Sequence, residues 1–338
     1  MAGAARPPRT EEPSPPPQPA SSLIGATERA GSIIMQLIAE QLLNGLQFGL
    51  MLFLLAAGLT LVFGIMDLMN LAHGSLYMIG AYLMATIAAA SGSFWVALPL
   101  AVVLTALVGL ALERALIRHL YHRDHLAQVL ATFAVILIAD DLVKIIWGPA
   151  PLLLNAPASL AGPVELLPGF FYPAYRLLII GVGLACAALL YVLVARTKAG
   201  MLVRAGASNR EMAAVMGVRV SRLFAAVFAI GAALCAVAGA LLGPVLAVEV
   251  GMGENILILA LVVVVIGGIG SVRGALVGAL LVGIVDTAGR AFLPALLNAL
   301  MPLSVAANLG PALAAIAIYV LMAAVLFFKP SGLFPARG

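Results

Sequence analysis

The sequence predicts an all-α, polytopic membrane protein with about 8–10 transmembrane helices. Of its 338 residues, 64% are hydrophobic and only 9% are charged, whereas soluble domains carry about 25% charged residues. Long uncharged runs recur: residues 48–66 comprise 19 residues and residues 74–112 comprise 39. A helix of about 20 apolar residues crosses a bilayer core of about 30 Å. Because lipid offers the backbone no hydrogen bonds, each run should be helical.

The N-terminal segment differs in composition from the rest of the chain. Seven prolines fall between Pro7 and Pro19, so we predict a disordered, proline-rich tail over residues 1–32. A transmembrane domain is predicted to occupy residues 33–338. Its first part, residues 33–47, mixes apolar residues with Glu, Gln and Asn, which is typical of an interfacial amphipathic helix. The side of the membrane on which the N-terminus lies stays open.

Nine apolar stretches follow and are predicted to span the membrane. They lie at roughly 48–66, 74–90, 94–113, 126–147, 177–195, 223–248, 255–272, 274–293 and 303–328. The connections 114–125 and 196–222 are rich in Lys and Arg, whereas the connection 148–175 has neither. The positive-inside rule therefore places the first two in the cytoplasm and the third outside.

Glycine is frequent within these stretches, and small residues allow helix backbones to approach closely in membranes. The residues that we expect to pack helices together are Gly74, Gly80, Gly239, Gly243, Gly268, Gly274 and Gly278.

A short helix with defined ends is predicted inside the cytoplasmic connection at about 197–222. Ser208 and Glu211 have the spacing of a capping box, and Gly217 is placed to end the helix in a left-handed conformation. Met212, Val215 and Met216 share one face. The segment is either a solvated loop that is helical or a rigid helix that docks into another subunit. The sequence has no Gly-x-x-x-x-Gly-Lys-Ser/Thr motif, so no P-loop supplies ATP binding within the chain.

Polar residues interrupt the apolar sequence between the first two stretches. Asp67, Asn70 and His73 follow one another at intervals of three, with Tyr77 a turn farther on, and on a helix the first three would share a face. Polar groups at membrane depth usually face a cavity or pore. These four residues are candidates for a translocation pathway, although a plain cytoplasmic turn is the alternative. We expect no metal site, because no second His or Cys has ligand spacing, and no Gly-x-Ser-x-Gly elbow for hydrolysis.

Residues 211–217, Glu-Met-Ala-Ala-Val-Met-Gly, resemble the Glu-Ala-Ala-x-x-x-Gly loop of ABC-importer permeases, with Met212 in place of the first alanine. In that family the loop forms the coupling helix that an ATPase subunit moves. The resemblance implies that Glu211, Met212, Ala213 and Gly217 contact the ATPase. Ser208 and Asn209, at the predicted start of the helix, complete the expected coupling set.

Two further blocks are similar to the permeases of branched-chain amino acid importers of the LivH type. The first block consists of residues 70–74, which read Asn-Leu-Ala-His-Gly, and residues 78–82, which read Met-Ile-Gly-Ala-Tyr. The second block covers residues 265–279. The resemblance extends over roughly 41–328. It implies a multi-pass subunit of the bacterial inner membrane that forms half of a translocation pathway for branched-chain or other hydrophobic amino acids.

The same resemblance implies the partners: a second homologous permease, two cytoplasmic ATPases that bind ATP and Mg, a periplasmic substrate-binding protein and membrane lipid. We expect this chain to bind no cofactor and no nucleic acid and to catalyse no reaction. One alternative keeps the architecture but carries urea, short amides or another small solute. A self-sufficient secondary transporter or channel is a second alternative, and an intramembrane enzyme, which would need a catalytic dyad, is a third.

Overall fold

A computed structural model describes the backbone of residues 20–121 and 123–334, and the side chains of residues 34–334 except 122, 207 and 210. The α-helices, in chain order, are α1 (Ala20–Met66), α2 (His73–Ser91), α3 (Phe94–Leu112), α4 (Arg118–Leu120), α5 (His125–Trp147), α6 (Ala174–Arg196), α7 (Lys198–Ser208), α8 (Arg210–Val215), α9 (Val220–Leu242), α10 (Met252–Gly267), α11 (Val272–Asn298) and α12 (Leu303–Phe328). A π-helical turn, Glu113–Ile117, joins α3 to α4, and a 3-10 turn covers Ala158–Leu160.

The all-α, polytopic membrane class is confirmed. Within the described residues, seven helical segments are long and apolar enough to cross a membrane: Ile34–Met66, His73–Ser91, Phe94–Leu120, Ala174–Arg196, Val220–Leu242, Val272–Asn298 and Leu303–Phe328. The other two predicted spans form helices of a different character. Helix α10 has 16 residues, about 24 Å at 1.5 Å per residue, and α5 carries Asp140, Asp141 and Lys144 in its second half.

The predicted interfacial helix at 33–47 is wrong, because these residues belong to the same helix as the first apolar stretch. Two of their polar side chains are used inside the protein. Asn44 accepts hydrogen bonds from the Tyr172 hydroxyl, at 2.9 Å, and from the Arg176 guanidinium, and Gln47 is only 4% exposed. Polar residues that bond to other parts of the fold, here to the strand that precedes α6 and to α6 itself, resemble an amphipathic pattern in the sequence.

The chain divides into two units between Glu40 and Gln41. The described part of the first unit is helical, from Ala20 onward. Residues 1–19 of the predicted tail lie outside the described residues, and residues 20–32 of it are part of α1.

Within the second unit, the helices differ in how much of their surface other helices cover. In the most apolar part of α1, 83% of the residues are buried, and in α9 72%, against 11% in α12. Helix α9 packs on α2 and α3, and α11 packs on α10 and α12. Helices α1, α2 and α9 therefore form the interior of this unit, and α12 presents apolar side chains outward.

A β-hairpin lies between α5 and α6, in the connection that is predicted to be outside. Strand β1 (Pro163–Leu167) pairs antiparallel with β2 (Phe170–Pro173). Gly169 makes the turn with a φ of 79°. Phe170 and Tyr172 are buried while the intervening Phe171 is exposed, so the hairpin covers the adjoining bundle with one face. The sequence analysis did not predict this element.

Candidate functional site

The first candidate site is the break between α1 and α2. Helix α1 ends at Met66, Asp67 has a φ of 51°, and α2 begins at His73. The start of α5 supports the intervening backbone, because the Met69 N–H donates to Gln128 Oε1 at 3.4 Å. The Thr132 hydroxyl donates to the Gln128 carbonyl at 2.9 Å and lies 3.5 Å from the Met69 carbonyl. The bond from Met69 is long, but it gives the broken segment a partner within the bundle.

The predicted shared polar face of Asp67, Asn70 and His73 is wrong. A left-handed residue leaves the helix, so Asp67 lies at the surface while Asn70 and His73 are 1% and 0% exposed. Tyr77, in the second turn of α2, is 2% exposed. Of the four pathway candidates, three are therefore buried and one is exposed.

His73 is enclosed between two other helices. A Cβ atom placed on Gly58 of α1 would lie 2.5 Å from His73 Nε2, and one placed on Gly231 of α9 would lie 3.0 Å from His73 Cε1. These separations are below van der Waals contact, so both positions need glycine for the imidazole to fit. The imidazole thus sits where α1, α2 and α9 meet.

Several buried polar groups near the break have no hydrogen-bond partner among the described residues. Both ring nitrogens of His73, both side-chain polar atoms of Asn70 and the Ser75 hydroxyl are in this state. The hydroxyls of Thr60 and Tyr82 share it. An unsatisfied buried polar group costs about 1–3 kcal/mol. Such groups offer hydrogen bonds to a solute or to water once a neighbouring helix moves.

The second candidate site is the short helix α8. The Asn209 side-chain oxygen accepts a hydrogen bond from the Met212 N–H at 2.8 Å, so Asn209 is the N-cap. The predicted capping role of Ser208 is wrong, because Ser208 is the last residue of α7. Sequence reasoning missed this role, although Asn caps helices as well as Ser does.

The end of α8 follows the prediction. Gly217 has a φ of 85°. Its N–H donates to the Ala214 carbonyl, and the Val218 N–H donates to the Ala213 carbonyl, each at 3.0 Å. This pair of bonds is the Schellman motif, in which a left-handed glycine ends a helix.

Helix α8 presents apolar side chains outward. Met212, Val215 and Met216 are 59%, 83% and 78% exposed, whereas Ala213 is buried against the chain. Glu211 is also exposed. A short helix with both ends fixed and an uncovered apolar face is suited to docking.

Five of the glycines predicted to pack helices together lie at close backbone approaches between helices, with the nearest neighbours as follows: Gly74 at Gly253, Gly80 at Ala236, Gly239 at Tyr77, Gly274 at Gly267 and Gly278 at Val263. The prediction is wrong for Gly243, which meets the Leu154 side chain, and for Gly268, which meets the backbone at Phe334 after α12. Gly268 also has a φ of 101° and follows α10. Sequence reasoning missed Gln128 and Thr132, which support the break. Their signal is weak, since two polar residues near the start of an apolar helix also fit an interfacial helix end.

Comparison with known proteins identifies the family. Residues 41–327 match the model of the branched-chain amino acid transport system / permease component family. The chain is 31% identical over 274 residues to the high-affinity branched-chain amino acid transport system permease protein LivH of Escherichia coli strain K12, covering 75% of this chain and 86% of that protein. It is 32% identical over 268 residues to the corresponding protein BraD of Pseudomonas aeruginosa, covering 74% of this chain and 85% of BraD.

A shorter match, 37% identical over 103 residues, links 28% of this chain to 29% of the fructose import permease protein FrcC of Rhizobium meliloti. No solved structure gives a significant match to the chain. The family model covers most of the chain and the branched-chain relatives cover about three quarters of it, so the chain belongs to the branched-chain amino acid transport system permease family.

Proposed function

We propose that this chain is the inner-membrane permease subunit of a bacterial ATP-driven importer for branched-chain or other hydrophobic amino acids, and that α8 couples it to the ATPase. The family assignment and the sequence identity to LivH and BraD support the cargo class. The exposed apolar face of α8 is the observation that carries the coupling role.

The case for α8 is energetic. Burying an apolar side chain of this size is worth about 1.5–3 kcal/mol, and three such side chains lie exposed on one short helix. The N-cap and the Schellman motif fix both ends of that helix. A rigid helix transmits a push from a partner without unwinding, so α8 is suited to receive the movement of an ATPase subunit. Glu211, at its start, would contact the same partner.

In this proposal the chain forms half of the pathway, and a second homologous permease forms the other half. Two cytoplasmic ATPases bind ATP and Mg, and a periplasmic binding protein delivers the amino acid. ATP binding shifts the population between inward-open and outward-open states, which requires contacts that differ between the states. The unpartnered groups of Asn70 and His73 would gain partners in a state in which the pathway reaches them.

The coupling role is tested by charge insertion into the α8 face. Met216→Glu places a carboxylate on the proposed contact face at the C-cap of α8, and Met201→Glu makes the same change on the neighbouring helix α7, where Met201 is 56% exposed. We expect Met216→Glu to abolish copurification of the ATPase from gently solubilised membranes, and Met201→Glu to leave it intact. Retention of the ATPase by both variants, with normal uptake, would remove the coupling role of α8.

A different cargo is the runner-up. The partial match to a fructose import permease shows that related sequence segments occur in a permease named for another solute. Urea and short amides remain alternatives for the same reason. ATP-driven uptake of labelled leucine, isoleucine, urea, acetamide and fructose by the reconstituted complex separates these cargoes. Leucine or isoleucine uptake, with little of the other three, is the expected result.

A further inference from the structure

A narrow pocket, closed in this conformation to anything as large as a water molecule, lies where α2 and α10 begin and where α5 passes both. Gly74 and Gly253 lie at its base, and a Cβ atom on either would come within 2.3 Å of the other's carbonyl oxygen. This contact brings the first turns of two helices side by side. The first amides of a helix lack intrahelical partners, and the helix dipole makes that end electropositive.

The polar side chains of the pocket are Ser75, Asp140 and Glu254. Ser75 is 4% exposed, and its hydroxyl has no hydrogen-bond partner among the described residues. The carboxyl groups of Asp140 and Glu254 lie close enough to influence each other electrostatically. The nearby Lys144 ammonium forms its ion pair with Asp141, at 3.1 Å, rather than with the Asp140 carboxylate.

The remaining side chains of the pocket are apolar: Leu71, Ile136 and Leu257. The pocket thus combines an acidic pair, a buried hydroxyl beside two helix N-termini, and an aliphatic wall. Each feature alone has a structural explanation. Together they match the three parts of one chemical class, an α-amino acid with an aliphatic side chain, because its ammonium, carboxylate and side chain project from one carbon.

We propose that this pocket holds the zwitterionic head group of the transported amino acid. The ammonium group lies at Asp140 and Glu254, and the carboxylate accepts from the Ser75 hydroxyl, the first amides of α2 and the Gly253 amide of α10, whose neighbours Met252 and Glu254 already donate to backbone carbonyls. The aliphatic side chain lies against Ile136 and Leu257. This assignment rests on the proposed function. The pocket is a narrow cleft in this conformation, so the amino acid enters when α5 and α10 separate.

The test uses the complete transporter in liposomes: this chain with its partner permease, the ATPases and the binding protein. Initial leucine uptake and ATP hydrolysis stimulated by leucine-loaded binding protein are measured together. We expect the double variant Asp140→Asn, Glu254→Gln to take up leucine about tenfold more slowly per ATP hydrolysed, because charge-assisted bonds are lost. Ser75→Ala should lower the same ratio by about threefold to tenfold.

The matched control is Asp141→Asn, adjacent in sequence but outside the pocket and paired with Lys144. It should stay within about twofold of the wild type, since exposed ion pairs contribute little. An unchanged ratio in the pocket variants overturns the assignment, and so does a parallel fall of uptake and ATP hydrolysis. Absence of leucine uptake by the wild type would instead overturn the proposed cargo, and the pocket's role with it.

Discussion

His73 shows how much the interior of the bundle depends on single residues. Its imidazole is buried between Gly58 and Gly231, and neither ring nitrogen has a partner among the described residues. Packing alone would favour an apolar residue here, because a buried polar group without a partner is destabilising. The arrangement therefore combines a steric requirement for glycine with a buried polar group that has no hydrogen-bond partner among the described residues.

The steric requirement predicts opposite effects for two glycine substitutions. Gly58→Ala would put a methyl group 2.5 Å from His73 Nε2, and overpacking costs about 1–3 kcal/mol. Gly181→Ala on α6 meets nothing within 4 Å, so the helix propensity of Ala should leave stability unchanged or raise it by about 0.5–1 kcal/mol. Thermal unfolding of the solubilised protein measures both. Equal stability of the two variants would contradict the packing around His73.

The polar requirement predicts that stability and transport separate at the same residue. In His73→Leu the desolvation cost of the imidazole disappears, so the melting temperature should be unchanged or higher. Uptake should nevertheless fall by at least about tenfold, equivalent to about 1.4 kcal/mol. His119→Leu, at an exposed position on α4, is the control and should transport normally. Normal uptake by His73→Leu would mean that this imidazole has only a structural role.

Among the helices, α8 illustrates which elements can be predicted from sequence. Its end at Gly217 follows from local chemistry alone: Val215 is its last residue, Met216 is the C-cap and Gly217 is left-handed. The N-cap was assigned to Ser208 instead of Asn209, since two neighbouring residues could each cap the helix and only the observed end of α7 decides between them. Local signals thus predict that a helix exists, whereas its neighbours determine the cap.

The N-cap predicts a difference between adjacent alanine substitutions. Asn209→Ala removes the 2.8 Å bond to the Met212 amide, which should cost about 1 kcal/mol of helix stability. Amide hydrogen exchange in residues 211–217 should then accelerate about fivefold. Ser208→Ala leaves that bond in place and should exchange at the wild-type rate. The reverse order of the two variants would restore Ser208 as the cap.

Elements defined by contacts distant in sequence could not be predicted in this way. The hairpin of β1 and β2 depends on pairing and on Tyr172, which reaches Asn44 across 128 positions. The same bond explains why the polar residues before Gln47 belong to a long helix rather than to an interfacial one. In the break, the sequence indicated polar residues at membrane depth, but the left-handed Asp67 separates them.

At the scale of the whole chain, apolar surface is divided between contacts within the protein and exposed faces. Helices α1 and α9 are largely covered, whereas α6 and α12 are mostly uncovered. In a bilayer, exposed apolar side chains are compatible with lipid and with another apolar subunit. Composition and span length predict this class of molecule from sequence, but they do not say which helices are interior, since Ile34–Met66 and Phe94–Leu120 are equally apolar and yet differ widely in burial.

The membrane topology gives the last prediction. Between the β-hairpin and α8, α6 is the one described segment suited to spanning a membrane. If α6 crosses, the hairpin and α8 lie on opposite sides, whatever the total number of crossings. The positive residues at 196–222 and their absence from 148–175 predict that α8 lies in the cytoplasm. In a background with Cys186→Ala and Cys235→Ala, we expect an impermeant maleimide to label Leu167→Cys in intact spheroplasts. Val215→Cys should react only in inside-out vesicles. Both positions are exposed, so a lack of reaction reports the side of the membrane rather than burial. Labelling of both cysteines from one side would show that α6 does not cross the membrane.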